Sequence, residues 1–396
     1  MSASPSTVER DLLARLEAGP IVELTTALIA ERSENPGGAE AGTVAVLADA
    51  CRGAGLSVEV DEVAPGRPNL IASLGDRDAA PTLLFLGHSD VVPAGTGWSG
   101  DPFAAHVAEG RLIGRGATDM KGGLAAIVAA MGALREAGAP GRIEFVCTVD
   151  EEAGGLGAQS YVGRPDSRRD GVLGAIVAEP TGLRAVHAGR GTANLEIAVT
   201  GKAAHSGRPD DGCSAIAVAG QILSVIADDG ERLKSRPHPD LGPATWNVGT
   251  IAGGQGINVV AADCRLGVDR RLLPDEQIAV VTDELRERIA ALDLPADASV
   301  TVTVDSETPA FATPLDDALT RGVSDSLATL GLDPVPRVWS AACDAGFLHR
   351  DLGIPSIVVG PGDIHTQAHQ VDESVPVDDL LTAARLYALI AHRLLG

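Results

Sequence analysis

Short runs of strand-forming residues, apolar on both faces and each closed by a polar cluster, recur along the first half of this chain. They cover Leu70 to Ser73, Thr82 to Gly87, Ile143 to Val149 and Ala175 to Ala178. A strand that shows neither face to water must be covered by helices on both sides. Parallel strands joined through helical crossovers meet that condition. Helical patterns do separate the runs, notably Gly122 to Ala137. The expected fold class is therefore α/β, with a mostly parallel sheet under helices. Before the sheet, Val8 to Ala30 reads as one helix, Ser33-Glu34-Asn35-Pro36-Gly37-Gly38 as a breaker and Thr43 to Ala54 as a second helix.

The pattern changes near His187. A strand (Ala193 to Thr200), a helix (Cys213 to Ile226), two strands (Ala244 to Gly249 and Cys264 to Arg270), a helix (Asp275 to Ala291) and a strand (Ser299 to Val304) follow. That order, βαββαβ, is the split arrangement of a small two-layer, ferredoxin-like domain. The earlier style then returns, with helices at Pro314 to Leu330 and Val377 to Leu395 and a strand at Ile354 to Val359. The reading is one larger domain, residues 1–187 and 305–396, interrupted by a smaller one, residues 188–304.

Composition narrows the function. The formal charge of −23 repels phosphate backbones and anionic lipid, so neither nucleic acid nor a membrane is an expected partner. The five cysteines are scattered, with no C-x-x-C pair, which excludes a disulfide framework and a thiolate zinc site and fits a reducing cytoplasm. The N-terminus lacks a basic segment followed by an apolar one, so no secretory leader is expected. Gly122 to Leu134 reads as a buried helix too short to span a bilayer, which takes about 20 residues.

Chemistry gathers where the strands end. His88-Ser89-Asp90 follows the second run, Asp150-Glu151-Glu152 the third and Glu179-Pro180-Thr181 the fourth. Between them, Arg115 to Gly123 contains Asp119 and opens a helix. In open α/β sheets the ligand site lies beyond the carboxyl ends of the strands, so one fold gathers all four clusters at one edge. One imidazole and several carboxylates, without thiolates, suit zinc or a close relative. Asp90, two residues after His88, is placed to accept the second ring N–H of that histidine. Of the adjacent Glu151 and Glu152, one could hold metal while the other serves as base. The glycines of Gly114 to Gly123 match neither phosphate-loop spacing. Each of these residues also has a plainer reading alone: His88 as a core histidine, Glu151 and Glu152 as a solvated pair at a helix start; further along, His205 reads alone as a solvated loop residue and Arg271 as half of a structural ion pair.

Taken together, His88-Ser89-Asp90, Asp119-Met120-Lys121-Gly122-Gly123, Asp150-Glu151-Glu152 and Glu179-Pro180-Thr181 resemble the M20 metallopeptidase and amidohydrolase family, in order and over nearly the whole chain. That family includes acetylornithine deacetylase, succinyl-diaminopimelate desuccinylase, aminoacylase and glutamate carboxypeptidase. The resemblance implies a di-zinc catalytic domain with an inserted lid and dimerisation domain, and two Zn2+ per subunit with Co2+ or Mn2+ as substitutes. It makes His88 and Glu179 ligands of one ion, Asp119 the bridge, Glu152 and His369 ligands of the other, and Glu151 the general base. Asp90 joins the catalytic group. His369 begins His369-Gln370-Val371-Asp372-Glu373, which matches the family's H-x-x-[DN]-E pattern; His365 competes but lacks it. The peptide bond after Asp119 is expected to be cis.

The same resemblance assigns residues in the inserted domain. His205, in Gly201-Lys202-Ala203-Ala204-His205-Ser206, would stabilise the oxyanion in the partner subunit's site, which implies a homodimer through that domain. Asn258 would contact substrate. Arg271, with Arg270 as a rival, and the loop Gly360-Pro361-Gly362 would hold a substrate carboxylate. Ala261 stands where the family usually has proline. The implied substrate is an N-acyl amino acid or short peptide. Deacylation ranks first, then desuccinylation, then carboxy- or dipeptidase action. A non-catalytic metal-binding interaction protein is the alternative of a different class.

Overall fold

The computed structural model describes residues 4–76, 81–165 and 171–396. In chain order its elements are α1 (Thr7–Leu13), α2 (Ala18–Ala30), α3 (Ala41–Gly53), β1 (Ser57–Ala64), β2 (Arg67–Leu74) and β3 (Thr82–His88), then β4 (His106–Ala108), β5 (Arg111–Ile113), α4 (Gly122–Ala137), β6 (Arg142–Thr148), α5 (Leu156–Val162), β7 (Val172–Val177) and β8 (Val186–Gly189). There follow β9 (Gly191–Thr200), α6 (Ala215–Leu233), β10 (Thr245–Gly253), β11 (Asp263–Leu272), α7 (Ile278–Ala290) and β12 (Ser299–Thr308). Last come β13 (Phe311–Ala312), α8 (Ala318–Thr329), β14 (Arg337–Trp339), α9 (Ala345–Leu352), β15 (Ser356–Val358), β16 (Ser374–Pro376) and α10 (Val377–Leu395). They form two compact units, Met1–Ala188 with Phe311–Val338 and Asp344–Gly396, and Gly189–Ala310 with Trp339–Cys343.

The first unit is built on a sheet of order β1-β2-β6-β3-β7-β15-β8-β13. Its centre, β6-β3-β7-β15, is parallel; β1, β2 and β8 pair antiparallel at the flanks. Across the centre, Phe145, Phe85, Ile176 and Ile357 stand in register as a fully buried row. They share one core with α2, α4 and α10, and the Tyr387 ring of α10 lies 5.5 Å from Phe85. The strand β1 escaped the sequence reading because its charged alternation, Ser57-Val58-Glu59-Val60-Asp61-Glu62, belongs to an edge strand wetted on both faces.

Two expectations need correction. Val8 to Ala30 forms two helices, because Pro20 fits only in a first turn, and α2 accordingly begins two residues before it. The apolar stretch around α4 is also longer than expected: with the π-type turn before it, Ala117–Ala137 is long and apolar enough to cross a bilayer. It is packed inside the first unit, as its buried residues show.

The second unit is an antiparallel sheet of order β10-β11-β9-β12 with α6 and α7 on one face. Alternate residues of β9 and β11, among them Leu195, Ile197, Leu266 and Val268, meet Val218, Ile222 and Leu285 of the helices. Arg270 falls on this inward phase and Arg271 on the outward one.

Candidate metal centre

Register fixes the starting geometry. His88 pairs with Thr148 at the ends of β3 and β6, and Leu86 pairs with Val177 near the end of β7. His88, the turn after β6 and Glu179 therefore leave the sheet at one edge. Asp119 reaches the same place from the π-type turn at Ala117–Lys121, and the Asp119–Met120 peptide is cis.

The side chains form two adjoining groups that share Asp119. In one, His88 Nε2 lies 3.2 Å from Asp119 Oδ1 and 3.6 Å from Glu179 Oε1. In the other, His369 Nε2 lies 3.2 Å from Glu152 Oε2 and 3.5 Å from Asp119 Oδ2. Donor atoms within each group are within 4.8 Å of one another. His365 joins neither group, and its backbone amide donates to Asp363. Glu151 Oε2 stands 3.9 Å from His88 Nε2.

The electrostatics are those of a site short of positive charge. Burial pushes the Glu151 carboxyl well up, and Glu179, Asp344 and Glu152 push the same way against His88. Glu179 is raised by burial and by Asp119, Glu152 and Asp344. Burial opposes charge on His88, yet Glu179, Asp119 and Asp90 outweigh it and hold the imidazole well above its ordinary value. Hydrogen bonds to Asp119 and Glu152 lift His369 to about 10. Glu152 Oε1 and Asp344 Oδ1 are buried without a hydrogen-bond partner among the described residues. Carboxylate and imidazole donors, an excess of buried anions and an orphaned carboxylate oxygen fit divalent cations.

Other side chains set this arrangement. His88 Nδ1 lies 2.9 Å from the backbone carbonyl of Asp90 and 3.5 Å from its carboxylate, so the ring is oriented chiefly by the carbonyl. The Asp90 carboxylate instead accepts the amides of Glu151 and Glu152 at 3.2 and 3.1 Å. Glu373 is fully buried and accepts from Arg115 and from the amides of Gly116, Thr118 and Asp119 at 2.6 to 3.0 Å. It thereby ties the Asp119 turn to the segment that carries His369. Lys121 is buried too, its ammonium donating to the carbonyls of Leu28 and Glu31 near the end of α2, and burial brings it down to about 7. Thr148 Oγ1 stands 2.6 Å from Asp344 Oδ2. The sequence reading assigned no role to Glu373, Lys121, Asp344 or Asn35, although Glu373, Lys121 and Asn35 lie in segments it quoted.

Gly360 differs from expectation. Its amide donates to Thr181 Oγ1 at 3.1 Å, and the Gly362 amide is engaged by Asp379, so neither is open to a substrate carboxylate. A Cβ at Gly360 would lie 2.6 Å from the Glu179 carbonyl oxygen, so glycine is needed for close approach to the segment carrying Glu179.

The second unit holds the remaining residues. His205 pairs with Val259 in a β-bridge, and Ser206 N donates to the Asn258 carbonyl at 3.1 Å, so His205 and Asn258 occupy adjoining segments. His205 Nδ1 accepts from the Gly207 amide, which leaves Nε2 as the ring's donor. Arg271 is partly exposed and bonded to Asp269 at 3.0 Å. Arg270 is 1% exposed, salt-bridged to Glu276 and stacked on Trp246, which removes it as a rival. At Ala261 the usual proline is missing, but the adjoining Val260 amide is held by the Ala204 carbonyl at 2.8 Å.

The model of peptidase family M20/M25/M40 matches residues 84–393. The succinyl-diaminopimelate desuccinylase of Zymomonas mobilis subsp. mobilis is 32% identical over 391 residues, covering 95% of this chain and 98% of that protein. An acetylornithine deacetylase of Proteus mirabilis is 30% identical over 377 residues, covering 92% and 91%. Among solved structures, the aminopeptidase PepT of Bacillus cereus superposes with a TM-score of 0.75 at 24% identity, covering 96% of this chain and 99% of that one. A dinuclear metal-binding M20 peptidase of Bacillus subtilis superposes with a TM-score of 0.69 at 18% identity, covering 98% and 99%. At these identities the two structures bear on the fold.

Proposed function

The chain belongs to peptidase family M20/M25/M40, a family of metal-dependent hydrolases of amide bonds, and from that premise we propose that it is a di-zinc deacylase of N-acyl amino acids. The observation that carries the reading is the pair of donor groups sharing Asp119, with Glu151 beside them. His88, Asp119 and Glu179 would hold one ion, and Asp119, Glu152 and His369 the other. Zn2+ is the proposed metal, with Co2+ or Mn2+ as substitutes. Bound there, such ions supply Lewis acidity toward a scissile carbonyl and lower the pKa of a water.

The chain's own groups do the rest. Glu151 removes a proton from the attacking water as its oxygen bonds to the carbonyl carbon. It then delivers that proton to the leaving nitrogen as the C–N bond breaks. In the metal-free protein burial, with Glu179, Asp344 and Glu152 beside it, raises Glu151, the direction that suits a general base. Asp90 fixes the backbone of Glu151 and Glu152. His205, donating through Nε2, would stabilise the oxyanion, and Arg271 and Asn258 would hold the substrate's carboxylate.

The inserted unit, residues 188–304 in the sequence reading, would serve as lid and dimerisation domain, with His205 acting in the partner's site. The edge strand β10 supports this, because its nine residues carry no charge and Ile251 is 55% exposed. Five buried free cysteines fit the proposed cytoplasmic location. Desuccinylation is the second reading, favoured by the full-length similarity to a desuccinylase. A panel of acetylornithine, succinyl-diaminopimelate, N-acetyl amino acids and short peptides, read by amine release from zinc-loaded protein, tests the proposal. Chelator-sensitive release from acyl amino acids is expected. Release from peptides alone would replace the deacylase reading.

A further inference from the structure

The family match begins at residue 84, and the breaker Ser33-Glu34-Asn35-Pro36-Gly37-Gly38 lies before it. This segment is nevertheless fastened to the chain just after His88. Asn35 N donates to the Val91 carbonyl, Val91 N to the Ser33 carbonyl, and Ser33 Oγ to the Ser89 carbonyl, at 2.7 to 2.9 Å. The Ala94 amide donates to Glu34 Oε1.

Fastened in this way, the Asn35 side chain is 3% exposed and stands between two carboxylates. Its Nδ2 donates to Asp90 Oδ2 and to Asp150 Oδ1, each at 2.9 Å. Asp90 in turn accepts the amides of Glu151 and Glu152. The same Asp150 oxygen is also held by Arg67, at 2.8 Å, and Arg67 is paired with Glu40. Asp90 is buried and Asp150 partly so, and two carboxylates facing one another repel unless a donor sits between them. One amide group can give one hydrogen to each.

We propose that Asn35 is a positioning residue for catalysis: by bridging Asp90 and Asp150 it sets the turn on which Glu151 stands. The inference rests on the reading of Glu151 as general base. The Asn35 side chain donates to no proposed metal donor, so at saturating zinc its loss should leave both ions bound and lower the chemical step.

The test compares Asn35→Ala, Asn35→Leu and Glu151→Gln, alone and combined, in the zinc-loaded full-length protein on whichever panel substrate turns over. Both Asn35 variants should bind two zinc ions and keep KM. Asn35→Ala should lower kcat by about tenfold to a hundredfold, the scale of a small misplacement of a catalytic group. Asn35→Leu should be worse than Asn35→Ala, since the smaller residue admits a water that can bridge the carboxylates and leucine excludes it. A packing role predicts the opposite order, because leucine nearly keeps the bulk of asparagine, and that order would overturn the proposal. In the Glu151→Gln background the Asn35 effect should vanish. Wild-type kcat in both Asn35 variants, with Glu151→Gln inactive, would refute this inference alone. An active Glu151→Gln would refute the assignment on which it rests.

Discussion

Around His88 the carboxyl groups of Asp119, Glu151 and Glu179 share one imidazole, and the metal-free protein should carry that crowding into its stability. His369 is raised from 6.5 to about 10, His88 lies above its ordinary value, and the Glu151, Glu152 and Glu179 carboxyls are raised as well. Each of these groups binds protons more tightly in the folded state. Stability tied to the His369 contacts is therefore fully present below pH 6.5 and is lost as pH rises through about 10. Asp119 and Asp90 are depressed instead, so their contributions fade only under acid, while Lys121, brought from 10.5 down to about 7, pulls the other way in that window and offsets part of the loss from the raised histidines and glutamates. Chelator-stripped protein should thus melt at a lower temperature at pH 9 than at pH 6.5. Saturating zinc should raise the high-pH melt most, since metal competes with protons for the same donors. Melting temperatures that climb with pH in the stripped protein would contradict this account.

At the scale of elements, Gly360 decides between two roles for one loop. A methyl group there would collide with the carbonyl oxygens of Ala178 and Glu179, so Gly360→Ala should cost about 1 to 3 kcal/mol and weaken zinc binding through Glu179. If the loop instead served only a substrate carboxylate, the variant would raise KM with an unchanged melting temperature. The central strands were legible in the sequence because burial on both faces leaves unbroken apolar runs, as in Thr82 to Leu86. The residues closing those runs followed from the same pattern. What stayed hidden depends on contacts between distant segments. Glu373 accepts backbone amides 254 to 257 residues away, and Asn35 meets Asp150 at a separation of 115. A backbone amide that donates such a bond carries no side-chain pattern to read. The edge strand β1 and the two-residue β13 lacked an apolar run for a different reason, exposure in the first case and brevity in the second.

For the whole molecule, assembly and reaction can be tested separately. Ile251→Lys places a charge on the uncharged edge strand β10 and, if the proposed dimer forms through that edge, should shift it to monomer in sedimentation without unfolding the chain. If His205 acts in the partner's site, that monomer should also lose turnover; a fully active monomer would remove the role in trans. Whatever the substrate, the groups sharing Asp119 are proposed to bind the metal and Glu151 to move the proton. The most direct measurement is zinc content alongside kcat for Glu151→Gln, in which the carboxylate becomes an amide of the same shape that cannot act as a base. Two zinc ions per chain, a wild-type fold and kcat lowered by at least about a hundredfold, the lower end of what general-base catalysis contributes, are expected. Two bound zinc ions with wild-type turnover would contradict that role for Glu151.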